Sequence, residues 1–420
     1  MKLQSKDRRV DRFLTRHLDG PAFRFEAVED PRHRRGRRWK LKELLDPIID
    51  GLLANCPSLR DIESLTSEQA ERGRRDRRVP DTTVYALLGR LSVEGFRVAL
   101  RKEVGALWRG KCLEPVGLPC GVLTFDGKGI GKLDHDAAGS AQKSHRSHDG
   151  SPYWLPRVLR AVLTSSPVRP CLDQMTVPAK TNEMGAFPDF FSSVIETYDA
   201  LFEILTLDAG FAALELAGSI EAANKAYVIG LKENQPSLLR EAKRLLEPLA
   251  AQAQPEAQTP WERSKGKQVR RSLYRTDEMA GWNGWDHLRH VWLVRQETRD
   301  GDGRITVEDR YFLTSVRKGR LTPSQILLVV RGHWGIENDC FGTLDLQWRE
   351  DDRPFCTQGH AVEVLGLLRL LAYNLLRVLR MRHLRERAPD GTPRPPHRWR
   401  QLFGWVRDAL RLAPPLPSPT

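Results

Sequence analysis

Apolar residues recur at helical spacing in the first hundred residues of the chain. Between Leu41 and Leu53 they fall every three to four positions, which predicts an amphipathic helix over that range. The same spacing predicts two more helices, over 58–69 and 81–93, and Asp81 suits the N-cap of the last one. The N-terminal part of the chain is therefore expected to be helical.

Two arginine-rich segments, at 32–40 and 72–78, lie between the predicted helices. Such segments carry too much charge to be buried, and guanidinium groups bind the phosphates of nucleic acids. Helices separated by arginine clusters favour a DNA-binding unit, in which Arg74 and Arg75 are candidates for phosphate contact. A solvated helical cap is the alternative interpretation.

From residue 121 the pattern changes to short β-type runs that alternate with helical ones. Strands are predicted at 121–127, 159–164, 171–177, 204–208 and 226–231, and helices at 182–198 and 211–223. The polar residues 133–151 are expected to form a loop. Three strands followed by a helix, a strand, a helix and a strand give the order of a mixed α/β fold.

A helix with a linker, a second β-rich region and further helices follow. Residues 236–259 are expected to form the helix and its Ala/Gln/Pro linker, and β-type runs lie near 272–275, 290–295 and 304–313. Thr322 and Pro323 form a favourable N-cap and first-turn pair for a long helix. A Leu-rich helix is predicted over about 361–387, and the Pro-rich end, 412–420, is expected to be disordered.

The composition indicates a chain with a sizeable core, since 40% of its 420 residues are hydrophobic and 29% are charged. No run approaches the ~18 consecutive apolar residues of a membrane span, and no apolar run of a secretory signal follows the N-terminus. The six cysteines include no Cys-x-x-Cys pair, which argues against a disulfide scaffold or a zinc ribbon. We therefore expect a cytoplasmic protein without membrane contact.

The net charge of +13 is distributed unevenly along the chain. Residues 1–120 carry 26 basic and 18 acidic side chains, residues 353–420 carry 12 and 4, and residues 121–352 are slightly acidic. Basic flanks around an acidic centre favour polyanion binding outside and cation binding inside. Flanks that merely keep the protein soluble are the alternative interpretation.

Glu337 is the first candidate for chemistry, because its neighbours on a helical wheel are residues typical of a core. At about 100° per residue, the same face carries Ile326, Val330, His333, Cys340, Phe341 and Leu344. A carboxylate in a core-facing stripe is costly unless a cation or hydrogen-bond donors neutralise it. Either a metal ion or an arginine partner would meet that requirement.

Asp126 and Asp208 each end a short alternating strand and are followed by a small residue. If the strands are parallel neighbours, the two carboxylates emerge side by side at the C-terminal edge of the sheet, where open α/β sheets place their sites. With Glu337 they would repel one another in the absence of a metal. Oxygen ligands favour Mg²⁺ or Mn²⁺, and two such ions about 3.5–4 Å apart are the usual device for in-line phosphoryl chemistry.

Several residues near these carboxylates have both a functional and an ordinary interpretation. Lys232, Asn234 and Gln235 leave a strand at the expected catalytic edge, where they could contact DNA or serve as plain loop residues. His333 could contact DNA, donate to Glu337, or be a satisfied core histidine.

Two further groups are weaker candidates. The segment from His145 to Asp149 has spacing that could bind zinc, although phosphate contact from a loop is favoured. Five arginines of the last long helix could line DNA or belong to a solvated face: Arg369, Arg377, Arg380, Arg382 and Arg385.

Several short blocks occur in the order seen in DDE transposases of bacterial insertion sequences. They are Asp126-Gly127-Lys128, Lys180-Thr181-Asn182-Glu183, Leu207-Asp208-Ala209, Leu231-Lys232-Glu233-Asn234-Gln235, Arg331-Gly332-His333-Trp334-Gly335-Ile336-Glu337-Asn338, Leu344-Asp345 and Glu350-Asp351. In these blocks the sequence resembles that family, and its H-repeat-associated branch in particular, over roughly residues 35–385. The His-Trp-x-Ile-Glu-Asn and Lys-x-Asn-Gln blocks are specific, whereas Asp-Gly-Lys alone is a weak signal.

The resemblance implies an α/β fold with an RNase H-like mixed-sheet catalytic domain at 121–388 and a β-rich insertion at about 255–316. An all-α, basic N-terminal domain over 1–120 would precede it and help to bind the element's terminal inverted repeats. A basic, Pro-rich tail would occupy 389–420.

The resemblance also implies roles for individual residues. Asp126, Asp208 and Glu337 would form a metal-binding triad for two Mg²⁺ or Mn²⁺ ions and catalyse DNA end cleavage and strand transfer. Candidates for DNA contact are Lys128, Lys232, Asn234, Gln235, Arg331, His333, Arg74 and Arg75. The expected partners are terminal-repeat and target DNA, and a second copy of the chain in a synaptic homodimer. Association with the nucleoid would follow from DNA binding.

The sequence departs from the family's pattern in several places, none of which removes a carboxylate. Gly131-Lys132 stand where an arginine is usual, Ala212-Ala213 replace Cys-Gln, and Cys340-Phe341-Gly342 replace Leu-His-Trp. Relatives with a Tyr-Arg-Glu-Lys signature would have Tyr, Arg and Lys at the positions of Val330, His333 and Leu344. Two other functions are therefore kept: a catalytically decayed, transposase-derived DNA-binding protein, and a divalent-metal nuclease without strand transfer.

Overall fold

A computed structural model of the 420-residue chain describes residues 5–135, 139, 141–144, 152–264, 266–352 and 354–412. The described residues form a mixed α/β structure in which helices cover both faces of one long sheet. No helix within these ranges is long and apolar enough to cross a membrane. The Pro-rich end beyond residue 412, predicted to be disordered, lies outside the described residues.

The N-terminal region is helical. It contains α1 (Ser5–Leu18), α2 (Leu41–Leu53), α3 (Leu59–Glu71), α4 (Asp81–Leu88) and α5 (Glu94–Arg109). The helix predicted from Leu41 to Leu53 is confirmed at both ends. The third predicted helix ends at Leu88 rather than at residue 93, because Gly89 follows it, and Pro80 rather than Asp81 occupies its N-cap.

The first half of the sheet surrounds the two predicted aspartate strands. Its strands are β1 (Val122–Gly129), β2 (Ala141–Ser144), β3 (Tyr153–Leu163), β4 (Cys171–Thr176), β5 (Ile204–Leu207) and β6 (Ala226–Leu231), with α6 (Glu183–Tyr198) and α7 (Leu214–Ala222) between them in the chain. β1 pairs antiparallel with β3 and parallel with β5, and β5 pairs parallel with β6. The mixed sheet is therefore confirmed. β2 lies within a stretch predicted to be loop, where pairing with β3 gives it strand structure.

The β-rich region continues this sheet. After α8 (Pro236–Gln252) come β7 (Ala257–Gln258), β8 (Glu262–Ser264), β9 (Lys267–Thr276), β10 (His290–Arg299) and β11 (Ile305–Thr314). β9, β10 and β11 form an antiparallel meander, and β11 pairs with β6. The strand order is β2-β3-β1-β5-β6-β11-β10-β9-β7, with β4 on β3 and β8 on β9. The RNase H-like assignment and the domain boundaries stay predictions.

The helix predicted to start at Thr322 consists of three consecutive segments. α9 (Pro323–His333) is capped by Thr322, as predicted, in a capping box with Gln325. A π-helical segment, Ile336–Phe341, follows, and α10 (Gly342–Trp348) completes the run.

The C-terminal helices pack on the N-terminal ones. α11 (Ala361–Val378) is buried along its whole length and contacts α2 and α5, while α12 (Trp399–Leu412) contacts α1, α2 and α3. One hydrophobic cluster includes both Val10 and Leu410. Arg369 and Arg377 of α11 were predicted to line DNA. That prediction is wrong, because other elements enclose α11 and leave the two residues only 1% and 4% exposed.

Candidate active site

Two aspartates come to the same level on neighbouring parallel strands. β1 and β5 are in register with Thr124 opposite Thr206, and Asp126 and Asp208 each follow two residues later. Because side chains alternate along extended backbone, each aspartate leaves the sheet on the same face as its threonine. The condition that the two strands be parallel neighbours is met. The prediction that Asp126 ends its strand is wrong, because pairing with β3 extends β1 to Gly129.

Three buried threonines and a buried histidine form a hydrogen-bonded layer next to the aspartates. The Oγ1 atom of Thr124 lies 2.6 Å from that of Thr206 and 3.0 Å from that of Thr164. The Nδ1 atom of His333 lies 3.2 Å from the Thr206 hydroxyl. Each buried polar group thus has a partner, which removes most of the cost of burying it. The layer fixes the end of α9 against β1 and β5.

Glu337 lies one helical turn beyond His333, within the π-helical segment. π-helical turns are rare and are frequent at functional sites. The other residues of its predicted stripe are buried, Val330 and Cys340 among them, but Glu337 itself is exposed. The prediction that Glu337 faces the core is therefore wrong, because the widened turn interrupts the regular helical spacing and leaves this carboxylate open to solvent.

Two ion pairs hold the segment that follows Glu337 in the chain. The Nζ atom of Lys128 lies 2.6 Å from both carboxylate oxygens of Asp345. Arg160, which is opposite Asp126 in the β1–β3 register, donates to both carboxylate oxygens of Glu350 at 2.8 and 2.7 Å. Lys128 was predicted to contact DNA, but its side chain is only 9% exposed and has this internal partner. Its DNA contact stays a prediction.

Asp126 is the acidic group whose ionisation the site perturbs most. Burial raises its pKa from an ordinary value near 3.8 to about 7, although the Gly127 N–H donates to its carboxylate and opposes the rise. The negative charges of Asp208, Glu337 and Glu183 contribute to this rise in the pKa of Asp126. Three carboxylates from other parts of the chain therefore act on Asp126 at this edge of the sheet.

This donor set has the chemistry of a divalent-cation site. Asp126, Asp208 and Glu337 offer carboxylate oxygens, the ligands that Mg²⁺ and Mn²⁺ prefer, and a cation would offset their repulsion. As placed, no three His, Cys, Asp or Glu side chains in the described part of the chain form a group that could hold an ion. The metal centre therefore stays a prediction. The candidate zinc or phosphate segment at 145–149 lies outside the described residues.

Sequence analysis does not place Glu183 at the site, although its carboxylate acts on Asp126. Glu183 begins α6 behind the N-cap Asn182 and pairs with Arg157 at 3.1 Å. A Cβ atom on Gly127 would lie 2.0 Å from the Glu183 carboxyl carbon, so the glycine leaves the space that this side chain fills. Two signals were present in the sequence: Glu183 ends one of the blocks that resemble the DDE transposases, and it is an acidic residue at a helix start, where a capping effect is the usual explanation.

The loop after β6 lies beside the turn that follows Asp208. Lys232 is exposed there, and its predicted DNA contact stays a prediction. The side-chain amides of Asn234 and Gln235 bind the protein's own backbone, donating to the carbonyl oxygens of Ala209 and Ala212 at 2.6 and 2.8 Å. The sequence favoured DNA contact or an ordinary loop position for these two residues, and it gave no sign of these carbonyl partners.

Arg331 and His333 differ in what they leave accessible. Arg331 is half-exposed and pairs with Glu262 of β8 at 2.6 Å, and its DNA contact stays a prediction. The pKa of His333 is lowered to about 4, chiefly by burial and also by the positive charges of Arg310 and Lys232. His333 is therefore neutral at pH 7. Its position fits the predicted alternative of a satisfied core histidine.

Arg74 and Arg75 are engaged with the helices around them. Arg74 donates to the carbonyl oxygen of Ala409 in α12 at 3.1 Å. Arg75 donates to the Gln69 side chain at 2.6 Å and to the Asp50 carboxylate at 2.8 Å. These contacts tie the end of α3 to α2 and α12. Phosphate contact by either arginine stays a prediction.

Comparison with protein families decides which family the fold and site belong to. The family model described as "Transposase DDE domain" matches residues 122–375, which is more than half of the chain. The chain belongs to this transposase family. The matched range of the DDE transposase domain runs from β1 into α11, so Asp126, Asp208 and Glu337 all lie inside it.

Curated relatives agree with this family. The "H repeat-associated putative transposase YhhI" of Escherichia coli (strain K12) is 25% identical over 214 residues, which are 49% of this chain and 54% of that protein. The "Putative protein YbfL" of the same organism matches to the same extent. The "Uncharacterized protein in dhlA 3'region" of Xanthobacter autotrophicus is 30% identical over 174 residues, 40% of this chain and 56% of that protein. The chain thus spans about half the length of the curated relatives it matches, and the predicted resemblance is confirmed.

Proposed function

We propose that this member of the DDE transposase family mobilises an insertion sequence. It binds the terminal inverted repeats, cleaves DNA at the ends of the element with divalent metal ions, and joins the freed 3′-hydroxyl to target DNA. The observation that carries the proposal is the level placement of Asp126 and Asp208 on parallel strands, with the charge of Glu337 acting on Asp126. Both steps are in-line substitutions at phosphorus, so one carboxylate centre serves both.

Asp126, Asp208 and Glu337 are the residues that would hold two Mg²⁺ or Mn²⁺ ions. When bound, these ions supply activation of the attacking oxygen and stabilisation of the leaving oxygen. Asp126 must lose its proton to act as a ligand, and its pKa of about 7 makes that loss incomplete in neutral solution. Cation binding is therefore expected to strengthen between pH 6 and pH 8.

The buried contacts around Glu337 hold its backbone in place. The contact between His333 and Thr206 fixes the helix before Glu337, and the pair of Lys128 with Asp345 fixes it afterwards. Positioning matters because phosphoryl transfer depends on reacting groups held within a fraction of an ångström of their productive geometry.

The two arginine-rich segments meet in the structure and offer a surface for DNA. The guanidinium carbon of Arg77 lies 3.6 Å from the centroid of the Trp39 ring, and Arg77 donates to the carbonyl oxygen of Arg38 at 2.8 Å. We call the exposed arginines of these joined segments the arginine surface; they are Arg34, Arg35, Arg37, Arg38, Arg72, Arg77 and Arg78. Their exposed guanidinium groups favour this surface over Arg74 and Arg75 for phosphate contact.

The arginine surface is tested by salt dependence. Replacing Arg35 and Arg38 together with alanine should weaken binding to terminal-repeat DNA and lower the slope of log affinity against log salt by about 1 for each lost phosphate contact. Replacing Arg240 and Lys243, both exposed on α8, with alanine provides a matched control that removes two positive charges elsewhere. An unchanged slope in the double variant would assign the phosphate contacts to another surface.

The catalytic proposal is tested with labelled element-end DNA in Mg²⁺ or Mn²⁺. The wild-type protein should give cleaved ends and joined products, and Asp126→Asn, Asp208→Asn or Glu337→Gln should each abolish both while DNA binding persists. A fully active variant would overturn the site assignment. Cleavage without joining would favour a metal-dependent nuclease, and binding without either product would favour a decayed transposase.

Synapsis of two element ends requires at least two active centres, so we also propose a homodimer in the DNA complex. Light scattering of the protein with and without terminal-repeat DNA measures this directly. A complex that holds one protein copy on paired ends would contradict it.

A further inference from the structure

The turn that follows Asp208 is held from a neighbouring loop. Residues Ala209–Phe211 form one 3₁₀ turn, and Asp208 is its N-cap, accepting the Gly210 N–H at 2.8 Å. Because the Asp208 carboxylate bonds to the turn itself, the orientation of the turn sets the orientation of that carboxylate.

By itself this turn has little to stabilise it. Its own backbone bonds run from the Phe211 N–H to Asp208 at 3.2 Å and from the Ala212 N–H to Ala209 at 3.1 Å. Such short 3₁₀ turns have poor hydrogen-bond geometry, and fixing their backbone costs conformational entropy. Outside contacts must therefore contribute to its stability.

The side chains of Asn234 and Gln235 provide those contacts. Asn234 donates to the carbonyl oxygen of Ala209 at 2.6 Å, and Gln235 donates to that of Ala212 at 2.8 Å. The two amides thus hold both ends of the turn. On a third side the β6 backbone approaches closely, since a Cβ atom on Gly230 would lie 3.0 Å from the Ala209 nitrogen.

The loop that carries these amides is itself anchored. The Gln235 N–H donates to the carbonyl oxygen of Lys232 at 3.0 Å, which closes the loop directly after β6. Pro236 then begins α8, a helix of 17 residues. The amides therefore project from a segment fixed by a strand on one side and a helix on the other.

We propose that Asn234 and Gln235 are positioning residues for Asp208, acting through the carbonyl oxygens of Ala209 and Ala212. This inference rests on the proposed function, in which Asp208 is a metal ligand. In this proposal the two amides orient Asp208 instead of contacting DNA. The DNA contact is left to Lys232, which is exposed in the same loop. Outer groups that orient metal ligands typically change metal affinity by 10–100-fold when they are removed.

The test compares the double variant Asn234→Leu/Gln235→Met, which keeps similar size but has no amide donors, with Lys232→Ala. Three quantities are measured: Mn²⁺ affinity without DNA, from the electron paramagnetic resonance signal of free Mn²⁺; terminal-repeat binding in EDTA; and hydrogen exchange of residues 208–213 in metal-free protein. The double variant should bind Mn²⁺ roughly 10–100-fold more weakly, exchange faster at 208–213, and bind DNA in EDTA within about 2-fold of wild type. Lys232→Ala should show the opposite pattern, with weaker DNA binding, a smaller salt slope and unchanged Mn²⁺ affinity.

Several outcomes overturn the proposal. It fails if the double variant loses DNA binding in EDTA while its Mn²⁺ affinity and exchange at 208–213 match wild type. If the double variant does not fold, Asn234→Asp and Gln235→Glu are measured separately. Unchanged Mn²⁺ affinity in both variants would also overturn the proposal.

Asp208→Asn separates this proposal from the proposed function. Weaker Mn²⁺ binding in Asp208→Asn but not in the double variant rejects positioning alone. Unchanged Mn²⁺ binding in Asp208→Asn rejects the metal site itself.

Discussion

Replacing Asp126 with asparagine should stabilise the metal-free protein at high pH. Burial and the neighbouring carboxylates raise the pKa of Asp126 from about 3.8 to about 7 in the folded state, so folding penalises its ionised form. Because the folded pKa is raised, this penalty is absent well below pH 4, grows as the pH rises, and is fully present above pH 7. Asparagine keeps nearly the same shape and has no charge to bury.

The size of the effect follows from the two pKa values. A group whose pKa moves from 3.8 to about 7 lowers the free energy of unfolding by about 2 kcal/mol at pH 5 and by about 4 kcal/mol at pH 8, at ~1.4 kcal/mol per pH unit. The stability advantage of Asp126→Asn over wild type should therefore grow by roughly 2–3 kcal/mol between these two pH values. This growth is a difference of differences, so constant effects of the substitution cancel.

Urea unfolding in EDTA at pH 5 and pH 8 measures this quantity for wild type and Asp126→Asn. Asp189→Asn, an exposed change on α6, is the matched control and should track wild type. Added Mg²⁺ should stabilise wild type at pH 8 by RT ln(1 + [Mg²⁺]/Kd), about 2.7 kcal/mol at 100 times the Kd, and have a much smaller effect on Asp126→Asn. Equal pH dependence in wild type and Asp126→Asn would refute the electrostatic reasoning.

Three further substitutions probe packing around the site by urea unfolding. Gly127→Ala should destabilise the protein by about 1–3 kcal/mol, because its Cβ would lie 2.0 Å from Glu183. Adding Glu183→Ala should restore most of the lost stability. Purely additive effects of the two substitutions would contradict this. Arg160→Met leaves Glu350 buried without its partner and should lower the free energy of unfolding by about 3–5 kcal/mol. The double variant Arg160→Met/Glu350→Leu should lower it far less, and an equal loss in the two variants would contradict this. Thr206→Val removes a buried hydroxyl with two partners and should cost about 1–3 kcal/mol; a neutral result would mean that the hydrogen-bonded layer does not stabilise the fold.

The parts of the site predicted from sequence depend on local patterns. Period-two alternation put Asp126 and Asp208 on the same face as Thr124 and Thr206, and the structure pairs those two threonines on parallel strands. Asp208 follows the end of β5, whereas β1 continues past Asp126 to Gly129. The start of α9 followed from Thr322 and Pro323, whose preferences act within one turn. α5 was not predicted, although its buried residues, Phe96 and Leu100 among them, recur at helical spacing. That signal was available in the sequence.

Other features depend on contacts that no local pattern encodes. Regular helical spacing assigned Glu337 to a buried stripe, whereas the structure places it, exposed, in a π-helical turn. Lys128 finds Asp345 at a separation of 217 residues, so an exposed role was the natural expectation for an isolated lysine. The internal partners of Asn234 likewise appear only when β6 is placed beside the turn after β5.

The packing of α11 and α12 on α2 and α5 has a consequence for how the molecule forms during synthesis. Leu44 and Leu100, emerging early from the ribosome, are fully enclosed in the finished protein, yet the helices that help to cover them are translated last. During synthesis the apolar faces of the N-terminal helices therefore stay partly uncovered until nearly all of the polypeptide has been made. A premature stop between residues 338 and 360 would leave those faces exposed and make the product a target for proteases, even though it retains all three acidic residues of the site.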